Sequence, residues 1–320
     1  MKKVLITGGA GFLGSSLAQG MLDRGMSVAL VDNLSTGDLR KIPQHEHARF
    51  IKCDVNKYND IASVITSQKF DYVFHYAAVV GVKRTLERPV SVLEDIHGIE
   101  NMLNLCKNTG VKRFFFTSSS EVYGEPVEFP QNEETTPLNS RLPYAIVKNV
   151  GEAFCRSYYQ EYGLPYTVLR FFNTYGPKQS VDFVMSKFIK AALANRPLTI
   201  YGDGSQTRTF CFVKNNVEAI IKCLEEGIYV NDVVNVGSDQ SISILQLAQK
   251  IIEIAQSKSI IEFLPPLKEG DMTRRKPDIT KMSRLIKNFT SLEEGVRQII
   301  ESDIFYQLNN IDKAKTLFPV

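Results

Sequence analysis

The chain opens on a short apolar run, residues 4–7, that passes straight into Gly8-Gly9-Ala10-Gly11-Phe12-Leu13-Gly14 and then into a helix-like stretch. Glycines at these spacings let a chain leave a strand, turn tightly and bring bare backbone N–H groups up to a phosphate. The helix after them points its positive end at the same place. Gly9-x-Gly11-x-x-Gly14 fits the dinucleotide pattern, and Gly8-x-x-Gly11-x-x-Gly14 fits a close variant of it. Such a triplet is weak alone; its position between a strand and a helix gives it weight. The next apolar run, 27–31, ends at Asp32, 18 residues after Gly14. A carboxylate there accepts hydrogen bonds from the adenosine ribose and repels a 2′-phosphate, which favours NAD over NADP.

Downstream, runs rich in Val, Ile, Leu and Phe alternate with longer amphipathic ones. Residues 49–53, 72–75, 113–117 and 167–171 read as strands. Residues 12–24, 59–67, 90–108 and 144–162 read as helices, with Gly25, Gly110 and Gly163 as stops. This alternation predicts an α/β chain with a doubly wound parallel sheet covered on both faces. After Gly176-Pro177 the pattern loosens into helices at 181–194, 214–225, 243–256 and 291–302, separated by strands at 197–200, 208–212, 233–236 and 260–263. The expected division is a nucleotide-binding domain over 1–177, to which 207–240 returns, and a smaller α/β part over 178–320 that covers the substrate.

Composition excludes several other classes. At 320 residues and 43% apolar, the chain can bury a core without disulfide or metal staples. Lys and Arg number 38 against 35 Asp and Glu, too even a balance for a nucleic-acid footprint. The basic run Arg274-Arg275-Lys276 reads as a solvated loop. Five scattered cysteines lack metal or redox spacing, and the four histidines form no ligand set. The first apolar run breaks too early for a signal peptide, and no stretch suits a membrane span. The expectation is a cytoplasmic protein with no metal, nucleic-acid or membrane partner.

Tyr144-Ala145-Ile146-Val147-Lys148 puts a phenol and an ammonium one helical turn apart on one face. A tyrosine titrates near 10, too high for a base at neutral pH, and a neighbouring cation favours the phenolate. The pair is common on surfaces; beside a nucleotide loop and the serines at 118–120 it points to proton transfer coupled to hydride transfer.

With these motifs in this order, the chain resembles the extended short-chain dehydrogenase/reductase family in its nucleotide-sugar branch. The resemblance spans nearly the whole chain. It rests on 7–14, Asp54-Val55, His75-Tyr76-Ala77-Ala78, Ser118-Ser119-Ser120-Glu121-Val122-Tyr123-Gly124, Tyr144-x-x-x-Lys148, Arg170-Phe171-Phe172-Asn173-Thr174-Tyr175-Gly176-Pro177 and 201–208. It implies a Rossmann-like fold, a homodimer through helices near 90–108 and 145–162, and a UDP-sugar substrate. NAD would be held by Gly8, Gly11, Phe12, Leu13, Gly14, Asp32, Asn33, Asp54, Val55, Ala77, Ala78, Tyr144 and Lys148. Tyr144 would be the base for the sugar 4-hydroxyl, tuned by Lys148, with Ser119 on the same oxygen. Arg84, Asn173, Tyr201, Arg208 and Asp271 would hold the substrate. Lys268 stands where many relatives have Arg, which replaces a bidentate fork by a point charge.

The branches of this family share oxidation at C4 and differ in the step after it. Glu121 bears on the choice, because elimination needs a base near C5 and C6. Simple epimerases of the family carry a small or hydroxyl residue there; dehydratases and decarboxylases carry Glu. Ser120 occupies the place of an acidic Asp in typical 4,6-dehydratases, so the Ser120-Glu121 pair resembles decarboxylases and the dehydratases of N-acetylhexosamines. Residues 79–85 lack the proline-rich insert of many decarboxylases. The expectation is dehydration of UDP-N-acetylglucosamine, in cell-surface sugar biosynthesis, with Ser119, Ser120, Glu121, Tyr144 and Lys148 catalytic. C4 epimerisation is the second reading and decarboxylation of UDP-glucuronate the third. A catalytically silent NAD-binding regulator is the alternative of another class. Glu121 could instead be a structural acid, paired with a base such as Lys83 or Arg84.

Overall fold

The computed structural model describes residues 1–81, 85, 87–125, 127–266 and 275–313. Six strands, β1 (Lys3–Thr7), β2 (Ser27–Asp32), β3 (Ala48–Lys52), β4 (Tyr72–His75), β5 (Arg113–Ser119) and β6 (Tyr166–Phe171), lie parallel in the order 3-2-1-4-5-6. A seventh, Asp232–Val236, extends the sheet beyond β6, also parallel. The inner strands are buried on both faces, which is why Val4-Leu5-Ile6 and Phe114-Phe115-Phe116 read as unbroken apolar runs and not as alternating ones.

Alternate residues of each strand feed two cores. Leu5, Val73, Phe114, Phe116 and Val168 face the helices Tyr58–Ser67, Asp95–Asn108 and Pro143–Tyr162. Val4, Ile6, Phe74, Phe115 and Leu169 face the helices Phe12–Leu22 and Val213–Glu225. A third core, including Phe188, Leu247, Ile251, Val296 and Phe305, lies among the helices after residue 180.

Most predicted elements are present within a few residues. The helix expected over 90–108 is two, Pro89–Leu93 and Asp95–Asn108, broken at Glu94 where the His97 N–H bonds back to the Glu94 carbonyl, three residues away. The strand expected over 208–212 is also two: Thr207–Thr209 pairs with Ser241–Ser243, while Cys211–Phe212 pairs with Thr174–Tyr175. The helices Thr280–Leu285 and Asp303–Asn309 have no counterpart among the expected elements; each is under two turns long and carries little periodic signal.

One helix sets the position of the candidate site. Pro143–Tyr162 starts with Pro at its first turn and ends at Gly163 in the left-handed conformation. Inside it, Glu152 is fully buried and joined to Arg170 of β6 at 2.7 Å and to Ser118 Oγ of β5 at 2.6 Å. The Arg170 guanidinium also donates to the Tyr123 hydroxyl, which donates to Asn235 of the edge strand. This buried network fixes the helix against the strand ends that carry Ser119 and Asn173.

Candidate active site

The site forms at the carboxyl ends of the strands, on either side of the point between β1 and β4 where strand order reverses. Open parallel sheets bind ligands there. Gly8 has a φ of +65°, and a methyl group on it would lie 2.7 Å from the Tyr76 carbonyl carbon. A methyl at Gly14 would lie 2.4 Å from the Gly8 oxygen. The loop is therefore closed to side chains, and bare backbone faces the crevice. Gly11 precedes the Phe12–Leu22 helix without a side-chain cap, so the first N–H groups there are left for a ligand.

At the end of β2, Asp32 accepts the Ala10 N–H at 3.0 Å and the Leu34 N–H at 2.8 Å. These bonds aim its carboxylate beside the glycine loop. Asp54 accepts the Asn56 N–H, and the Val55 carbonyl accepts from Asn101, which shapes the turn after β3. Thr7 Oγ1 accepts from the backbone of Tyr76 and Ala77 and meets His75 Nδ1 at 2.9 Å. Burial, reinforced by the Lys148 charge, pushes His75 down to about 3, so it is a neutral strut. Lys178, which no sequence motif singles out, donates to the Lys41 carbonyl at 2.9 Å and ties the loop after Asp32 to the segment after Pro177.

Across the crevice, the Ser119 hydroxyl acts on that of Tyr144, favouring the phenolate, and caps the short 3₁₀ turn Ser120–Tyr123 by accepting from the Glu121 N–H. The turn separates its first two residues. Ser120 is 2% exposed, while Glu121 keeps part of its surface open. Lys148 Nζ lies 5.6 Å from the centre of the Tyr144 ring. Burial raises Tyr144 well above 10, and the Glu121 charge adds to this; the Ser119 hydroxyl and the Arg275 charge oppose it.

The sequence places Arg275 in a solvated loop, and the structure overturns that reading. Its side chain is only 10% exposed, its guanidinium lies 3.7 Å from the Glu121 carboxylate, and its buried Nε has no hydrogen-bond partner among the described residues. A long-range contact brings it here. Gln131 N–H donates to the Lys276 carbonyl and Asp278 N–H to Gln131, with Pro277 between them, so the chain at 275–278 runs beside 131. Nothing local in Arg274-Arg275-Lys276 signals that contact. The acid-pairing alternative for Glu121 thus finds a base, although a different one; Lys83 and Arg84 lie outside the described residues.

Residues 4–237 match the NAD dependent epimerase/dehydratase family. The chain belongs to that family. Among relatives of this NAD-dependent enzyme, it is 36% identical to the UDP-N-acetyl-alpha-D-glucosaminuronate decarboxylase of Bacillus cytotoxicus, over 94% of this chain and 97% of that protein. It is 35% identical to the UDP-glucuronic acid decarboxylase 1 of Danio rerio, over 97% of this chain and 75% of that protein. Among solved structures, the UDP-glucose 4-epimerase of Thermotoga maritima with UDP-glucose superposes with a TM-score of 0.89 at 31% identity. The match covers 96% of this chain and 99% of that one. The protein is an enzyme of the nucleotide-sugar decarboxylase and epimerase group, and its cofactor is NAD.

The family enzyme's crevice accommodates that cofactor: a side-chain-free glycine turn, an uncapped helix start and an aimed carboxylate at Asp32 are what a dinucleotide requires. The residues expected to hold the sugar nucleotide are more dispersed. Asn173 donates to the Thr209 carbonyl, next to Arg208, which is buried and donates to the Thr207 carbonyl. Tyr201 is 40% exposed, with Lys187 Nζ 5.5 Å from its ring centre. Arg84, Lys268 and Asp271 lie outside the described residues. The four histidines join no potential metal cluster among the described residues, and no described helix is long and apolar enough to cross a membrane.

Proposed function

We propose that this enzyme oxidises C4 of a UDP-hexuronate and then releases the C6 carboxylate as carbon dioxide. The observation that carries this reading is Arg275. Arg275 already faces the Glu121 carboxylate at 3.7 Å, but its buried Nε–H has no hydrogen-bond partner among the described residues; a C6 carboxylate would give it one, and a neutral hexose would bring no charge to it. The activities for which the Bacillus cytotoxicus and Danio rerio relatives are named support the same direction. The reading departs from the dehydration expected from sequence because Arg275, distant in the chain, adds a positive charge beside Glu121.

In this reading Tyr144 takes the proton of the 4-hydroxyl, Ser119 hydrogen-bonds the same oxygen, and Lys148 supplies positive charge behind the phenol. NAD, which the glycine turn at Gly8, Gly11 and Gly14 and the Asp32 carboxylate would hold, would supply the acceptor for the C4 hydride and the donor for its return. With C4 a ketone, the C6 carboxylate is that of a β-keto acid. The C5–C6 bond breaks, its electron pair moves onto the C4 oxygen, and carbon dioxide leaves. Ser119 and the protonated Tyr144 donate to that oxygen as charge grows on it. The up-shift of Tyr144 favours this donation and opposes the earlier proton abstraction, which the Lys148 ammonium and a cationic nicotinamide ring would have to assist. A proton taken from solvent and passed through the part-exposed Glu121 then adds to C5 and restores the ketone for reduction. Ser120 is a supporting residue of the turn in this scheme.

Dehydration stays as the second reading because Glu121 is part-exposed beside Tyr144 and could serve as a base at C5. Incubation with NAD and UDP-glucuronate, UDP-N-acetylglucosaminuronate, UDP-N-acetylglucosamine and UDP-glucose decides among them. Mass spectrometry should show loss of carbon dioxide from a uronate. Loss of water from a neutral sugar, or a change of retention time at constant mass, would overturn the proposal. We also propose a homodimer through the helices near 90–108 and 145–162, whose exposed apolar residues include Val90, Leu93, Ile146, Tyr159 and Tyr162. A monomer in sedimentation equilibrium would refute that.

A further inference from the structure

Asp95 and Lys148 are opposite charges buried in one apolar layer, 8% and 3% exposed. Asp95 opens the Asp95–Asn108 helix, Lys148 stands one turn after Tyr144, and the two helices pack together over Ile99, Met102, Val147 and Phe116. The break at Glu94 puts Asp95 in a first helical turn, where free N–H groups favour a negative charge. The Asp95 carboxylate accepts the Val79 N–H at 2.7 Å, and the Asn56 side chain also favours its charged form. No direct hydrogen bond joins it to Lys148; the two interact across the apolar layer. An ammonium left alone in such a layer gives up its proton.

We propose that Asp95 is a positioning residue for the oxidation at C4: it is the buried counter-charge that keeps Lys148 an ammonium behind Tyr144. The proposal rests on the C4-oxidation step of the proposed function and is independent of the later branch. Burial pulls Lys148 down to about 8, and the Asp95 charge is what opposes that fall. Burial raises the Asp95 carboxyl above the usual carboxylate range; the Val79 bond, the Lys148 charge and the Asn56 side chain oppose that rise, and the Asp54 charge adds to it. Other titratable groups also face the pair. His75 comes from β4 and is held neutral by burial and by Lys148. Tyr144 shares the Lys148 helix, and Glu121 and Arg275 approach it from the opposite side.

Asp95→Asn keeps the size of the side chain and an acceptor for the Val79 N–H, but removes the charge. In the NAD-free variant, the Lys148 titration, read by NMR of ¹³C-labelled lysine side chains, should move down by about one pH unit or more. The alkaline limb of kcat should move with it, so turnover at pH values above both titrations falls roughly tenfold for each unit moved and recovers on acidification. Unchanged NAD affinity and melting temperature would show that the fold is intact. Titration of Lys148 at its wild-type pH overturns the proposal. If Asp95→Asn does not fold, Lys148→Met tests the pair from the other side. The Asp95 carboxyl, followed by isotope-edited infrared spectroscopy, should then titrate at higher pH than in wild type, and an unmoved titration overturns the proposal equally. Absence of turnover on every UDP-sugar would defeat the reaction reading while leaving the lysine titration to be judged by itself.

Discussion

The backbone of Gly151 rests on the ring of Phe116, so closely that a methyl group at position 151 would lie 2.2 Å from Cζ. Phe116 is fully buried in β5, three residues before Ser119, and Gly151 lies on the helix that carries Tyr144 and Lys148. The contact therefore sets the distance between the serine and the tyrosine. Gly151→Ala must push the helix outward or force the ring from its place. Overpacking of this kind costs roughly 1–3 kcal/mol, which a chain this size should survive. Turnover should fall well beyond the loss of folded protein, because the Tyr144 and Ser119 hydroxyls are moved apart. Circular dichroism melts beside initial rates would show this, and an active Gly151→Ala enzyme would mean the helix has slack.

Asp32 should discriminate between the two nicotinamide cofactors. Its carboxylate is oriented by Ala10 and Leu34, and Gly37 leaves it uncrowded, since a methyl there would lie 2.6 Å from Oδ1. Asp32→Ala should weaken NAD binding and narrow the preference for NAD over NADP, the first by loss of ribose hydrogen bonds and the second by loss of repulsion. Fluorescence titration of both cofactors against both proteins checks it. An unchanged ratio of dissociation constants would move the selectivity to the neighbouring loop.

The range of each contact decides how much of the site is legible in the sequence. The glycine turn, Asp32 and the Tyr144–Lys148 spacing are local, within one strand–helix unit or one helical turn, and residue order alone displays them. Arg275 reaches Glu121 only because Pro277 runs beside Gln131, a pairing between distant segments that no spacing encodes. Asp95 is hidden differently. A continuous periodic pattern over 90–108 places it mid-helix, and only the break at Glu94 turns it into a first-turn acid facing the site. Ser120 and Glu121 are adjacent in sequence and look like a pair; the 3₁₀ turn buries one and leaves the other part-exposed.

His75 should make the fold acid-sensitive. Burial lowers it from 6.5 to about 3, so between those values the unfolded chain binds a proton that the folded one refuses. Stability is therefore lost as pH falls below 6.5, by roughly 1.4 kcal/mol for each pH unit while that difference is complete. His75→Gln keeps a polar partner for Thr7 and removes the titration. The variant should start less stable at neutral pH and lose less on acidification. Urea melts at a series of pH values would reveal the difference in slope; parallel slopes would mean that other groups dominate.

Arg275 and Glu121 together separate the possible reactions. Arg275→Met keeps most of the side-chain volume and removes the charge. If a uronate carboxylate is the partner, turnover and affinity for the uronate should both collapse, as expected when one member of a buried charge pair costs about 2–5 kcal/mol. A neutral UDP-sugar would gain relative affinity for the variant. Glu121→Gln should act later: oxidation at C4 continues through Tyr144, Ser119 and Lys148, while protonation at C5 slows. NADH absorbance should then build up and persist on addition of the uronate. Under dehydration the pattern changes, with Glu121→Gln abolishing water loss from a neutral hexose and Arg275→Met leaving it largely intact. Under epimerisation neither variant should stall at the reduced cofactor, because the keto-sugar needs no further acid or base. Rapid-scan absorbance with mass spectrometry of the released sugar nucleotide distinguishes the three patterns, and an Arg275→Met enzyme that still releases carbon dioxide at the wild-type rate would remove the main support for decarboxylation.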